Sequence, residues 1–135
     1  MTIIVADSSV WIDYLRDAHT PETAFLDRSM LANDSADTLI VLDVVLYEVL
    51  SGVRDDATWQ RVDSLMRRFT VVPVGGEEAA ISSAARYREL RRRGITIRKS
   101  MDVLIASWCL DANATLLHRD RDFVPFTTVF GLRTV

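Results

Sequence analysis

Residues 38–52 read "TLIVLDVVLYEVLSG". The first five are apolar or β-branched, too few for a helix and suited to a strand covered on both faces. Asp43 is a residue type that caps helices, and Gly52 one that ends them. The segment therefore predicts a buried strand over 38–42 running directly into a helix that stops at Gly52. From Val44 to Leu50 that helix is apolar or aromatic everywhere except at Glu48. A carboxylate in such a run is expected to be drawn into the interior. Losing its hydration there is costly unless a partner or a cation compensates.

The same alternation extends in both directions. "IIVA" (3–6) is a short strand, and "SSVWIDYLRD" (8–17) has the helical spacing Val10, Trp11, Tyr14, Leu15. "PETAFLDRSMLAND" (21–34) predicts a second helix with Pro at its start. Residues 55–69 form an amphipathic helix and "TVVPV" (70–74) a strand. Residues 77–94 make a long helix with acids at its start and arginines at its end, which complements the helix dipole. "SMDVLIASWCLDAN" (100–113) is apolar on nearly every side and is expected at the centre. "ATLLH" (114–118) and "TTVF" (127–130) predict two further short strands. Strands alternating with helices imply an α/β fold, a mainly parallel sheet covered on both faces. In such sheets, sites form beyond the carboxyl ends of the strands.

The chain has 135 residues, which predicts one domain over 1–135. Its hydrophobic fraction of 49% and charged fraction of 26% are those of a globular protein. No apolar run approaches the roughly 18 residues that span a membrane. The N-terminal stretch has no basic region and carries Asp7 early, so it does not read as a secretory signal. Cys109 is the sole cysteine and cannot form an internal disulfide, which makes a reducing cytoplasm the expected compartment. The net charge of −3 argues against a simple electrostatic nucleic-acid binder. The charge is uneven, however: residues 86–99 hold seven positive side chains and one negative.

Taken singly, each notable acid has an ordinary role. Asp7 can cap a helix, Asp102 can sit in a first helical turn, Asp120 and Asp122 can be solvated in a loop, and Glu48 can belong to a buried ion pair. Taken together, they suggest more. Asp7 ends the first strand and Asp120 and Asp122 follow "ATLLH", so they share one edge of a parallel sheet. Asp102 begins the central helix, and Glu48 hangs from a helix that follows another strand. Four or five carboxylates are thus expected to converge. Their mutual repulsion is relieved by a hard divalent cation, and an all-oxygen ligand set favours Mg²⁺ or Mn²⁺ over zinc.

"VADSSVWIDYL", "YEVLSG", "KSMDVLIASWCL" and "LLHRDRDF" resemble, in order, the motifs of the PIN-domain ribonucleases, specifically the VapC-type toxins of bacterial toxin–antitoxin pairs. The resemblance covers residues 3 to about 126. It implies a PIN-like three-layer α/β/α sandwich and places the family's acids on Asp7, Glu48, Asp102 and Asp120, with Asp122 as a fifth. Ser9 stands where the family has a small hydroxyl residue near the metal. Ser8 stands where threonine is commoner, a change expected to be harmless. The chemistry implied is metal-assisted hydrolysis of RNA phosphodiesters, with Asp7, Asp102 and Asp120 as ligands and Glu48 orienting a water or assisting a second ion. The implied partners are a small VapB-type antitoxin, a second toxin copy in a homodimer, and RNA.

Setting aside the five candidate acids, the formal charge of −3 becomes +2. Arg91, Arg92, Arg93, Arg98 and Lys99 are candidates to track an RNA backbone, with a solvated helix end as the plain alternative for Arg91–Arg93. His118 is expected beside the site or in a structural role, and Cys109 in the core. Two other classes remain open at this level. One is a PIN-fold RNA-binding module without activity. The other is a phosphoreceiver-like domain, suggested by Asp7 and by Asp43 at the end of "TLIVLD", although Lys99 precedes a helix where such a domain needs a lysine at a strand end.

Overall fold

The computed structural model describes residues 2–31 and 37–135. The described elements are β1 Ile3–Ala6, α1 Ser8–Leu15, α2 Pro21–Leu31, β2 Thr38–Leu42, α3 Asp43–Ser51, α4 Asp56–Met66, β3 Thr70–Val72, α5 Glu77–Arg92, α6 Ser100–Ala112, β4 Thr115–Leu117, α7 Val124–Phe130 and β5 Arg133–Thr134. A single 3-10 turn, Arg121–Phe123, precedes α7. The expected extension of α2 through 32–34 lies outside the described residues.

All four strand pairings are parallel, in the order β3-β2-β1-β4-β5. Helices flank this sheet in the three-layer α/β/α arrangement. The central strands are covered on both sides: Val5, Ala6, Val41, Leu42 and Leu116 are inaccessible to solvent. This is why β1 and β2 read as unbroken apolar runs rather than alternating ones. Trp11 is also fully buried, its ring 5.6 Å from that of Phe69. Cys109 lies in the core, where burial pushes its thiol up to about 12.

Three local expectations are corrected. Residues 127–130 are not a strand but the end of α7. β-Branched Thr127, Thr128 and Val129 favour a strand, yet Pro125 presets the first turn and Gly131, at φ 77°, closes the helix. Phe126 and Phe130 then fall on one helical face, with ring centroids 6.1 Å apart, and Phe126 is fully buried. Burial and capping outweigh intrinsic propensity here. The fifth strand is instead Arg133–Thr134, paired with β4.

The third strand ends at Val72 rather than 74. Pro73 has no N–H to offer a ladder, and the Val74 N–H donates to Asp43 Oδ1 at 3.1 Å. Asp43 itself is the first residue of α3 rather than its cap, which is Leu42. Its Oδ1 also accepts from the Val44 N–H at 2.8 Å, so this carboxylate pins the chain after β3 to the start of α3. That engagement removes the feature that suggested a phosphoreceiver.

Helices α5 and α6 form an antiparallel hairpin. Ser82 donates to Asp111 Oδ2 (3.2 Å), and Arg86 donates to Asp111 Oδ1 (2.7 Å) and to the Ser107 carbonyl (3.1 Å). Advancing along α5 thus moves backwards along α6. The arginine-rich end of α5 therefore lies beside the start of α6, where Asp102 sits.

Candidate active site

The parallel register brings the acids to one edge. Ala6 pairs with Leu117, and the Asp7 N–H extends that ladder by donating to the Leu117 carbonyl at 3.0 Å. Asp7 therefore stands opposite His118, two residues before Asp120. Both positions lie just past the carboxyl ends of adjacent strands, where a parallel α/β sheet leaves an opening.

Asp7 is 4% exposed and caps α1. Its Oδ1 accepts from the Ser9 N–H at 2.9 Å and its Oδ2 from the Ser9 hydroxyl at 2.6 Å. The cap role and the site role thus coexist in one carboxylate. Asp120 likewise caps the short turn after β4, its Oδ1 accepting from the Asp122 N–H at 2.9 Å.

Asp102 is 5% exposed in the first turn of α6, and its Oδ2 is buried with no hydrogen-bond partner. Burial, then the negative charge of Asp7, pushes its carboxyl up to about 7; Asp120 and Glu48 add to the shift and Lys99 opposes it. Ligand oxygens of Asp102, Asp120 and Asp122 lie within 4.8 Å of one another. A buried acid with an orphaned oxygen, facing other acids, is costly unless a cation joins it. The donor set is all oxygen, which fits Mg²⁺ or Mn²⁺. Asp122, expected as an auxiliary, is in this group, whereas Asp7 adjoins it through Asp102.

Glu48 is half-buried rather than buried, a correction to its expected place. The apolar face of α3 is carried by Val45 and Val49, and Glu48 turns toward the site edge. Burial still raises its carboxyl above the ordinary range, against the lowering effect of a hydrogen bond from Ser8. That contact went unread in the sequence: the Ser8 hydroxyl lies 3.1 Å from Glu48 Oε1 and 3.2 Å from Asp7 Oδ1. Nothing in the spacing of residues 8 and 48 announces it, because it depends on α1 packing against α3.

The acids also have cations nearby in space. Lys99 Nζ is 3.6 Å from Asp120 Oδ2, and Arg98 is 3.6 Å from Asp122 Oδ2. Both cations come from the loop that leads into α6, close to Asp120 and Asp122 in space though not in sequence. Arg91 lies over the Tyr87 ring, while Arg92 and Arg93 pair with Glu89 on the exposed end of α5. His118 is half-buried, its ring tilted against Phe123 with centroids 5.0 Å apart, with Nδ1 unpartnered and its basicity lowered by burial. Arg119 donates to Asp13 at 2.8 Å and lies 3.8 Å from Glu22, tying the Asp120 loop to α1 and α2. Arg119, Arg121, Asp13, Ser9 and Asp120 line an open concavity beside the acids.

Residues 4–126 match the family described as PIN domain. The VapC ribonuclease Mb1587 of Mycobacterium bovis is 31% identical over 97% of this chain and 96% of its own. Ribonuclease VapC11 of Mycobacterium tuberculosis shows the same identity and coverage. Among solved structures, VapBC2 from Rickettsia felis, bound to a DNA fragment from its promoter, aligns with a TM-score of 0.77 at 20% identity, over 99% of this chain and 98% of that one. VapBC-1 from nontypeable Haemophilus influenzae aligns with a TM-score of 0.75 at 22% identity, over 99% and 97%. A family match over nearly the whole length, and relatives above 30% identity along it, have one reading: the chain belongs to the PIN-domain family, beside the VapC ribonucleases.

Proposed function

We propose that this protein, as one PIN domain over 1–135, is a divalent-cation-dependent endoribonuclease toxin of the cytoplasm, neutralised by a VapB-type antitoxin. The observation that carries the reading is Asp102, buried with an unpartnered Oδ2 among Asp120, Asp122 and Asp7. Among the described residues no helix is long and apolar enough to cross a membrane.

Asp102 and Asp120 hold the cation in this reading, with Asp7 and Asp122 completing its surroundings and Ser9 fixing Asp7. Bound Mg²⁺ or Mn²⁺ acidifies a water and offsets charge on the phosphate. Glu48, with its raised carboxyl, orients the attacking water and accepts its proton, since a carboxyl nearer neutrality is the better base. Lys99 and Arg98, beside Asp120 and Asp122, would be the side chains to meet the RNA phosphates. The purified protein is expected to cleave single-stranded RNA with Mg²⁺ or Mn²⁺ and to stop in EDTA. Full cleavage in rigorously cation-free buffer would overturn the mechanism.

Arg91–Arg93 extend the same basic edge by virtue of the antiparallel α5–α6 hairpin. Replacing all three by Ala is expected to weaken RNA binding in EDTA. Each lost phosphate contact reduces the slope of log affinity against log salt by about 0.7. An unchanged slope would assign the run to ordinary solvated surface.

The antitoxin has a site to occupy. A concavity of about 300 Å³ runs between α1, α3 and α4, lined by apolar Ile12, Leu15, Val49, Val53 and Val62 and rimmed by Arg16, Arg54 and Arg61 with Asp55 among them. Ile12 lies one turn after Ser8 on α1, and Ser8 bonds Glu48, so a peptide that fills this groove can extend along α1 toward the acids. Two of its walls are α1, through Ile12 and Leu15, and α4, through Thr58, Arg61 and Val62, while Trp11 is core and Trp59, 42% exposed, lies outside the lining. A homodimer of toxins carrying two antitoxins is the assembly proposed.

A further inference from the structure

We infer that Ser8 is a positioning residue of the active site, acting through Glu48; the inference rests on the ribonuclease reading above. Its hydroxyl oxygen lies within donating distance of Glu48 Oε1 (3.1 Å) and Asp7 Oδ1 (3.2 Å), two acids brought together from α3 and from the end of β1. The two carboxylates do not depend on it equally. Asp7 is held independently by the Ser9 N–H and the Ser9 hydroxyl, at 2.9 and 2.6 Å. Glu48 has one side-chain hydrogen bond among the described residues, and Ser8 makes it. Glutamate has three rotatable side-chain bonds, and the like charge of Asp7 pushes it away. Without the hydroxyl, a half-buried Glu48 gains both freedom and hydration by swinging outward. Ser8 therefore fixes where the Glu48 carboxylate stands relative to Asp7. Removing its hydroxyl costs what losing an ordered Glu48 costs, and leaves Asp7 in place.

A pair of variants separates this role from simple packing. Ser8→Thr and Ser8→Val put nearly the same shape at the first residue of α1, and only threonine keeps the hydroxyl. Ser8→Thr is expected to stay within about twofold of wild type. Ser8→Val is expected to lose about tenfold in kcat on single-stranded RNA, the scale of removing a group that orients a site residue. KM and the thermal midpoint are expected to match those of Ser8→Thr. In a Glu48→Ala background, Ser8→Val is expected to add nothing, since both changes disable the same carboxylate. Mn²⁺ titration followed by electron paramagnetic resonance gives a readout independent of turnover. Ser8→Val is expected to bind Mn²⁺ several-fold more weakly than Ser8→Thr, because a Glu48 that swings outward takes its negative charge away from the cation although it is not itself a ligand.

Equal kcat and equal Mn²⁺ affinity in the Thr and Val variants would overturn the inference, as would a full additional loss from Ser8→Val on top of Glu48→Ala. If wild-type protein binds Mn²⁺ but cleaves no RNA, the ribonuclease reading fails, and the Thr–Val comparison of Mn²⁺ affinity still decides the role of Ser8.

Discussion

Asp102→Asn is expected to lower RNA cleavage by about 10³-fold while making the cation-free protein more stable, a factor equivalent to about 4 kcal/mol of transition-state stabilisation. The two effects have one cause. In the absence of a cation, Asp102 is buried beside other acids and its carboxyl is pushed up to about 7, whereas an unfolded aspartate titrates near about 3.9. Between those values the folded protein holds more protons than the unfolded chain. The contribution of Asp102 to stability is therefore full below about pH 4 and is lost progressively as pH rises through about 7. Glu48, also raised by burial, adds in the same direction. Asparagine carries no proton to lose. Urea unfolding in EDTA across pH 4.5 to 8 is expected to show falling wild-type stability and a flatter profile for the variant. Saturating Mg²⁺ is expected to restore the wild type only, because a ligand stabilises the state that binds it. Wild-type stability that climbs over this range in EDTA would show that Asp102 is not held against its charge.

Neutralisation by the antitoxin is the second large effect expected. Five carboxylates meet at one edge, with Lys99 and Arg98 as the nearest cations. An arginine or lysine delivered there pairs with acids that the fold has already desolvated, and such charge-assisted contacts are strong. It also perturbs the site that the divalent cation needs. The apolar groove between α1, α3 and α4 supplies area for a helix, and its rim, three arginines against Asp55, favours acidic residues on that helix. Co-expression of the small protein encoded alongside is expected to restore growth and to co-purify with the toxin. Neutralising the basic residues of its docked segment is expected to return ribonuclease activity while leaving groove binding in place. Undiminished inhibition after every such residue is neutralised would show that blocking is steric and remote from the acids.

Sequence by itself determined the strands at 3–6 and 38–42, the central helix at 100–113, which ends one residue earlier in the structure, and the parallel sheet, because runs covered on both faces leave an unmistakable apolar signature. It also suggested the acids worth examining, since Asp7 ends one strand, Asp120 follows another, and the strand–helix alternation puts such ends on one edge; that the two strands are neighbours was decided by the sheet. Tertiary structure alone decided the finer placements. Phe126 and Phe130 found a common buried face, so residues 127–130 became helix in spite of their β-branched side chains. Val45 and Val49 took the buried face of α3, so Glu48 stayed half-buried at the site edge. Lys99 and Arg98 reached Asp120 and Asp122 through a turn of chain that brings residues about twenty positions apart within 4 Å. Ser8 reached Glu48 across forty positions for the same reason. Local pattern records which face of an element is buried. Contacts between elements depend on how those faces dock, and no single segment contains that information.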